Sequence, residues 1–235
     1  MNDPYMPPAR GAWSFSDPDV AKVFDKMLPL SIPDYHTMRW LTTSLAANVN
    51  SSEPVIADLG SSRGDAVAPL VEAFPEGKFH LWEQSAPMCD VLHQRFSDHK
   101  NVIVHREDLR IEPFVSNYFD CVLSVLTIMF VPVEYRVILF KRIYDSIKPG
   151  GRFLLVEKTL QSSDLSHKEF TSEYYSMKSR NGYSDEQIER KRLSLEGVLV
   201  PMTFRANVSN LQDAGFKSVE CYWKALHFTG WIAYK

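Results

Sequence analysis

Short apolar runs bounded by turn residues recur along the chain with amphipathic stretches between them. That alternation predicts a sheet of parallel strands with helices on its faces. The runs "PVIADLG" (54–60), "KFHLWE" (78–83), "NVIVHRE" (101–107), "YFDCVLSVLT" (118–127) and "GRFLLVE" (151–157) read as five successive strands. They are rich in Val, Ile, Leu and Phe, as strands covered on both faces are. Between the last two, residues 133–147 place Val137, Leu139, Phe140, Ile143, Tyr144 and Ile147 at helical spacing before "KPGG" stops the helix. The carboxyl-terminal part breaks the alternation. Residues 216–223 and 228–234 are two apolar runs only a few residues apart, which predicts an antiparallel hairpin. Residues 1–52, with helices expected around 20–28 and 35–47, and the polar, helix-rich stretch 158–207 fall outside this core and are placed to cover a site.

The first strand runs into "DLGSSRGD", Asp58 to Asp65. Gly60 permits a tight turn with a ligand lying against bare backbone, and Gly64 lets the next helix begin close to the strand. The dinucleotide fingerprint G-x-G-x-x-G has glycine where this chain has Ser62, so a pyrophosphate cradle is disfavoured. Ligands of open α/β sheets sit outside the carboxyl ends of the strands, and an acid stands near each of the first three: Asp58, Glu83 and Asp108. Glu83, about 20 residues past the glycine loop, suits both hydroxyls of a ribose, with Gln84 adding a polar contact. Asp108 can accept an adenine amino group. Any one of these acids alone reads as a solvated loop charge, and the three together point to an adenosyl cofactor.

Five parallel strands finished by an antiparallel hairpin resemble the class I methyltransferases, a Rossmann-like fold in which the last strand inserts beside the fifth. The cofactor implied is S-adenosyl-L-methionine. Over nearly the whole chain the resemblance narrows to the carboxy-S-adenosylmethionine synthase family, through the opening "WSFSDPDVAKVFDKMLPLSIPDY" and the late insertion "NGYSDEQIERKRLSLEGVL". It implies that Tyr35, Gly60, Ser61, Ser62, Glu83, Gln84, Asp108, Leu109 and Val125 contact the cofactor, and that Arg192 holds the extra carboxylate of the carboxylated cofactor. The family has Asn at the position of Val125, an Asp–Asn pair in place of Glu83–Gln84, and Cys in place of Ser61. The middle change preserves donors and acceptors, but a branched apolar Val125 cannot replace an amide's hydrogen bonds. From spacing alone, Arg192 reads as one member of a charged helical face in "QIERKRLSLE".

Composition narrows the picture further. Apolar residues make up 45%, enough for a core, and Lys plus Arg at 26 against Asp plus Glu at 29 leaves a net charge of −3, so nucleic acid is not expected as a partner. Cys89, Cys121 and Cys221 are odd in number, far apart and set in apolar runs, so all three are assigned to packing. The seven histidines lack ligand spacing, which predicts no metal, and His227 stays without a role. No apolar leader opens the chain and no apolar run is long enough to span a bilayer, so a cytoplasmic protein away from membranes is expected. Residues 1–235 are read as one domain: helical cover 1–52, cofactor core 53–157, insertion 158–207, and helix end with hairpin 208–235. Tyr174, Tyr175, Tyr183, Phe170, Met177 and Trp223 are candidates for an acceptor pocket, each also readable as helix or strand packing. The leading functional reading is methyl transfer to a small carboxylate-bearing or aromatic molecule. The alternatives are synthesis of the carboxylated cofactor from S-adenosylmethionine and prephenate, and a non-catalytic binding protein retaining the fold. The resemblance also leaves a homodimer open.

Overall fold

The computed structural model describes residues 13–111 and 113–235. The leader reading therefore falls largely on residues 1–12, outside the described residues. Strands β1 (Val55–Leu59), β2 (Lys78–Trp82), β3 (Val102–His105), β4 (Phe119–Val125) and β5 (Ile147–Leu160) are parallel, and β7 (Ser218–Ala225) and β8 (Phe228–Tyr234) form the antiparallel hairpin. The sheet runs β3-β2-β1-β4-β5-β8-β7, with β8 antiparallel beside β5 as the resemblance implied. A two-residue strand, β6 (Met202–Thr203), pairs with the end of β5 and is too short for periodicity to reveal.

Side-chain alternation along β1 sorts the core. Val55, Ala57 and Leu59 face a cluster with Leu139, Phe140 and Ile143 of α5 (Val133–Ser146) and Leu211 of α8 (Phe204–Ala214). Ile56 faces the other side, with Ala46 of α2 (Tyr35–Ala47), Leu70 of α3 (Ala68–Ala73) and Leu92 of α4 (Ala86–Arg95). Helices thus cover both faces of the central strands, which is why β1 is buried from end to end. The insertion forms α6 (Asp164–Arg180) and α7 (Asp185–Ser194), the latter begun by a capping box between Ser184 and Gln187.

The helix α1 (Pro18–Ser31) and the segment before it lie across the carboxyl ends of the strands. Three side chains and backbone groups tie them down: Ser85 Oγ donates to the Phe15 carbonyl (2.6 Å), Arg63 donates to the Ala21 carbonyl and pairs with Asp25, and Trp13 N donates to the Ser194 carbonyl. Of the three cysteines, Cys89 and Cys121 are buried as expected. Cys221 is exposed, because β7 is the outermost strand and turns that position to solvent. No helix among the described residues is long and apolar enough to cross a membrane.

Candidate functional site: two adjoining cavities at the strand ends

After β1 the backbone enters the left-handed region three times in five residues, at Gly60 (φ +75°), Ser62 (φ +51°) and Gly64 (φ +80°). Glycine relieves two of these positions. Ser62 is held in place because its N–H donates to Glu83 Oε2 at 2.9 Å, while Ser85 N–H donates to Glu83 Oε1 at 2.8 Å. The Glu83 carboxylate therefore fastens the glycine loop to the start of α4. Burial raises its pKa, offset by these backbone donors. Gly60 is required for a different reason than expected: a Cβ there would meet not the ligand space but Thr127, with Cγ2 at 2.2 Å. Likewise a Cβ on Gly64 would strike the ring of Phe96, which caps the end of α4.

Tyr35, Asp58, Gly60, Ser61, Ser62, Glu83, Gln84, Asp108, Leu109 and Val125 all line one cavity of about 1030 Å³ that is partly open to solvent. Asp58 is not past the strand but inside it, at its penultimate position. Its carboxyl is fully buried, Oδ2 has no hydrogen-bond partner among the described residues, and burial pushes its pKa up to about 7 against the pull of Arg39. Ser61 Oγ donates to the Asp58 carbonyl. Asp108 lines the cavity, but its carboxylate accepts from the backbone N–H and guanidinium of Arg110, which hold it below its usual range. Sequence reasoning missed Arg39, Trp82, Glu107 and Thr127, which also line the cavity. Arg39 had a signal, since it sits one helical turn after Tyr35 and so shares its face.

Arg192 is not among these residues. It lines a second cavity with Trp13, Met27, Met129, Lys158, Tyr174, Tyr175, Lys178 and Lys191, which adjoins the first through the shared walls Phe15, Phe24, Leu28, Leu126 and Phe130. Of the aromatic candidates only Tyr174 and Tyr175 line it. Tyr183 lies beside it, its hydroxyl hydrogen-bonded to Ser31, and Met177 and Trp223 pack with α2 and β8, while Phe170 lies against His227. The guanidinium of Arg192 is half-exposed and paired with Glu189 at 2.7 Å on its own helix and with Glu196 at 3.8 Å in the turn that follows, the charged face that spacing suggested. Lys158, Lys178 and Lys191 have no carboxylate beside them in the cavity wall. Burial lowers all three pKa values, Lys178 to about 8 and Lys191 to about 6.

The residues fit S-adenosylmethionine. A buried acid with an unpartnered oxygen suits the α-ammonium, a glycine turn suits close backbone approach, and Glu83 at the end of β2 suits a ribose. Two results are expected. Replacing Glu83 by Ala should weaken binding of S-adenosylhomocysteine by about 1–3 kcal/mol, read by calorimetry, and unchanged affinity would place the carboxylate in a purely structural role. Because the Asp58 pKa is raised on folding, from 3.8 to about 7, its contribution to stability is complete below pH 4 and is lost as pH rises through 7. Thermal melts of the ligand-free protein should therefore show Asp58→Asn gaining on the wild type between pH 5 and pH 8. A constant gap would mean that Asp58 is already ionised.

Residues 56–151 match a methyltransferase domain. A carboxy-S-adenosyl-L-methionine synthase from Methylococcus capsulatus is 34% identical over 221 residues, 92% of this chain and 91% of that protein. Among solved structures, a putative S-adenosyl-L-methionine-dependent methyltransferase from Methanococcus maripaludis superposes with a TM-score of 0.62 at 18% identity, covering 97% of each chain. Human N-acetylserotonin methyltransferase in complex with S-adenosylmethionine gives a TM-score of 0.62 at 16% identity over 93% of this chain and 55% of its own. The structural matches carry the fold. The sequence match spans both lengths, so the chain belongs to the carboxy-S-adenosyl-L-methionine synthase branch of the class I S-adenosylmethionine-dependent methyltransferases.

Proposed function

We propose that this S-adenosylmethionine-dependent transferase acts on a small, carboxylate-bearing molecule seated in the second cavity, and that the reaction is methyl transfer. The observation that carries this is the wall of that cavity: Lys158, Lys178, Lys191 and Arg192 with aromatic and aliphatic side chains, and no carboxylate among its described residues. Buried amines without counter-charge are costly, and an anionic ligand supplies the missing partner. Binding of such a ligand should take up protons, since it raises the lowered lysine pKa values.

In the cofactor cavity, Tyr35, Gly60, Ser61, Ser62, Glu83, Gln84, Asp108, Leu109 and Val125 are assigned to cofactor contact, together with Asp58. S-adenosylmethionine supplies an electrophilic methyl on a sulfonium, so the protein's task is alignment and exclusion of water. Phe15, Phe24, Leu126 and Phe130 border both cavities and keep their junction apolar.

A second reading, synthesis of the carboxylated cofactor with prephenate as the other substrate, is favoured by the relatives' name and by Arg192 at the adjoining cavity. Val125 weighs against it, because an apolar side chain stands at the end of β4 where that reading needs an amide. Incubation with S-adenosylmethionine and a panel of small carboxylates including prephenate, followed by mass spectrometry, separates the two. A methylated carboxylate with S-adenosylhomocysteine supports methyl transfer, and a carboxylated nucleoside formed only with prephenate overturns it.

A further inference from the structure

Strand order lays out the cofactor cavity. Asp108 follows β3, Glu83 follows β2, Asp58 is the penultimate residue of β1 and Val125 ends β4, and these strands are consecutive neighbours in the sheet. Neighbouring strands lie about 4.8 Å apart, so Asp108 and Asp58 mark positions about 10 Å from one another across the strand ends. An adenosyl amino acid whose adenosine lies over β3 and β2 therefore carries its amino-acid tail towards β1 and β4. Arg39 lines the cavity from α2, the helix that covers this side, one turn after Tyr35.

The surroundings of Arg39 leave its fork uncommitted. It is half-buried and forms no hydrogen bond or salt bridge with another side chain among the described residues, although its charge is felt by Asp58 and Asp65. The acids that feel its charge are Asp58, which is buried, and Asp65, whose carboxylate is already taken by Arg95. The face of α2 is anchored by Thr42, which hydrogen-bonds the Tyr222 hydroxyl at 2.6 Å, so Arg39 is presented from a fixed helix. A guanidinium offers two parallel donors that match a carboxylate, and a buried carboxylate beside it matches an ammonium. Asp58 and Arg39 together are complementary to the zwitterion of an α-amino acid.

We propose that Arg39 recognises the α-carboxylate of the cofactor's amino-acid tail and is a specificity determinant for adenosyl amino acids over adenosyl compounds lacking that carboxylate. This rests on S-adenosylmethionine occupying the first cavity. The test is calorimetry with S-adenosylhomocysteine and with its decarboxylated counterpart, which keeps the adenosine and the ammonium. The wild type should prefer the first by about 10- to 150-fold, the range of a charge-assisted hydrogen-bonded pair. Arg39→Gln should lose that preference by weakening S-adenosylhomocysteine alone, leaving the decarboxylated compound within about twofold, with Arg39→Lys in between. Equal wild-type affinity for the two compounds, or an Arg39→Gln variant that weakens both alike, overturns the assignment. A wild type that binds neither compound removes the cofactor from this cavity and the proposal with it.

Discussion

Gly60→Val should abolish detectable binding of S-adenosylhomocysteine, a loss of at least about 100-fold, and should lower the melting temperature as well. The glycine holds φ at +75°, a conformation that a β-branched residue almost never adopts. The first added carbon would come within 2.2 Å, 2.4 Å and 2.8 Å of Thr127 Cγ2, Oγ1 and Cβ. Thr127 cannot simply swing away, because its hydroxyl donates to the carbonyls of Gly60 and Val125 at 3.3 Å each. It also follows Leu126, which has a left-handed φ of +60° and lines both cavities. Displacing Thr127 therefore deforms the floor of the site from β1 across to β4. Gly60→Ala carries the same first carbon without the branches and should lose more than about tenfold, since backbone strain of this kind costs roughly 1–3 kcal/mol. Calorimetry against S-adenosylhomocysteine, with a thermal melt of each variant, reads both effects. Affinity of Gly60→Val within a few-fold of wild type would mean that the loop adapts freely and is not the cofactor turn.

Arg192→Ala should leave affinity for S-adenosylhomocysteine within about twofold while raising the KM of the carboxylate-bearing substrate by about 10- to 150-fold, the effect of losing a charge-assisted hydrogen bond of about 1.5–3 kcal/mol. The side chain lines the second cavity and not the first, and its half-exposed guanidinium is shared with Glu189 and Glu196. An incoming carboxylate must compete with these glutamates, which is why the upper end of the range belongs to Arg192 acting with Lys178 and Lys191. The carboxylated-cofactor reading gives a different pattern. There the wild type binds the carboxylated nucleoside far more tightly than S-adenosylmethionine, and Arg192→Ala erases that preference. Steady-state kinetics and nucleoside titrations on the same variant distinguish the two.

That Gly60, Glu83 and Asp108 meet at one place was legible in the sequence, because they are local to strand ends. The turn at Gly60 and the acid at Glu83 each follow an apolar run that names its own strand, and the parallel order brings those ends together. The surroundings of Asp108 were only half legible. Its residue type pointed to adenine, while the side chain of Arg110, two residues on, folds back to claim the carboxylate through turn geometry that spacing does not reveal. Arg39 was reachable by helical periodicity from Tyr35, but an arginine on a half-exposed face reads as solvated unless the cavity beside it is known. The second cavity was not legible. Its lysines come from β5, α6 and α7, and each in isolation is an ordinary surface charge. Only the packing of the insertion against α1 and the segment at Trp13 takes water away from them. Cys221 shows the converse, where an apolar run suggested burial and an edge position in the sheet denied it.

Calorimetric titration of the wild-type protein with S-adenosylhomocysteine and, separately, with NAD tests the cofactor site most directly. One molecule of S-adenosylhomocysteine should bind per chain, with no heat from NAD, since the loop lacks the glycine that a pyrophosphate cradle needs at Ser62. Binding of NAD by a protein that ignores S-adenosylhomocysteine would contradict the assignment of Asp58, Gly60, Glu83 and Asp108 and everything built on it.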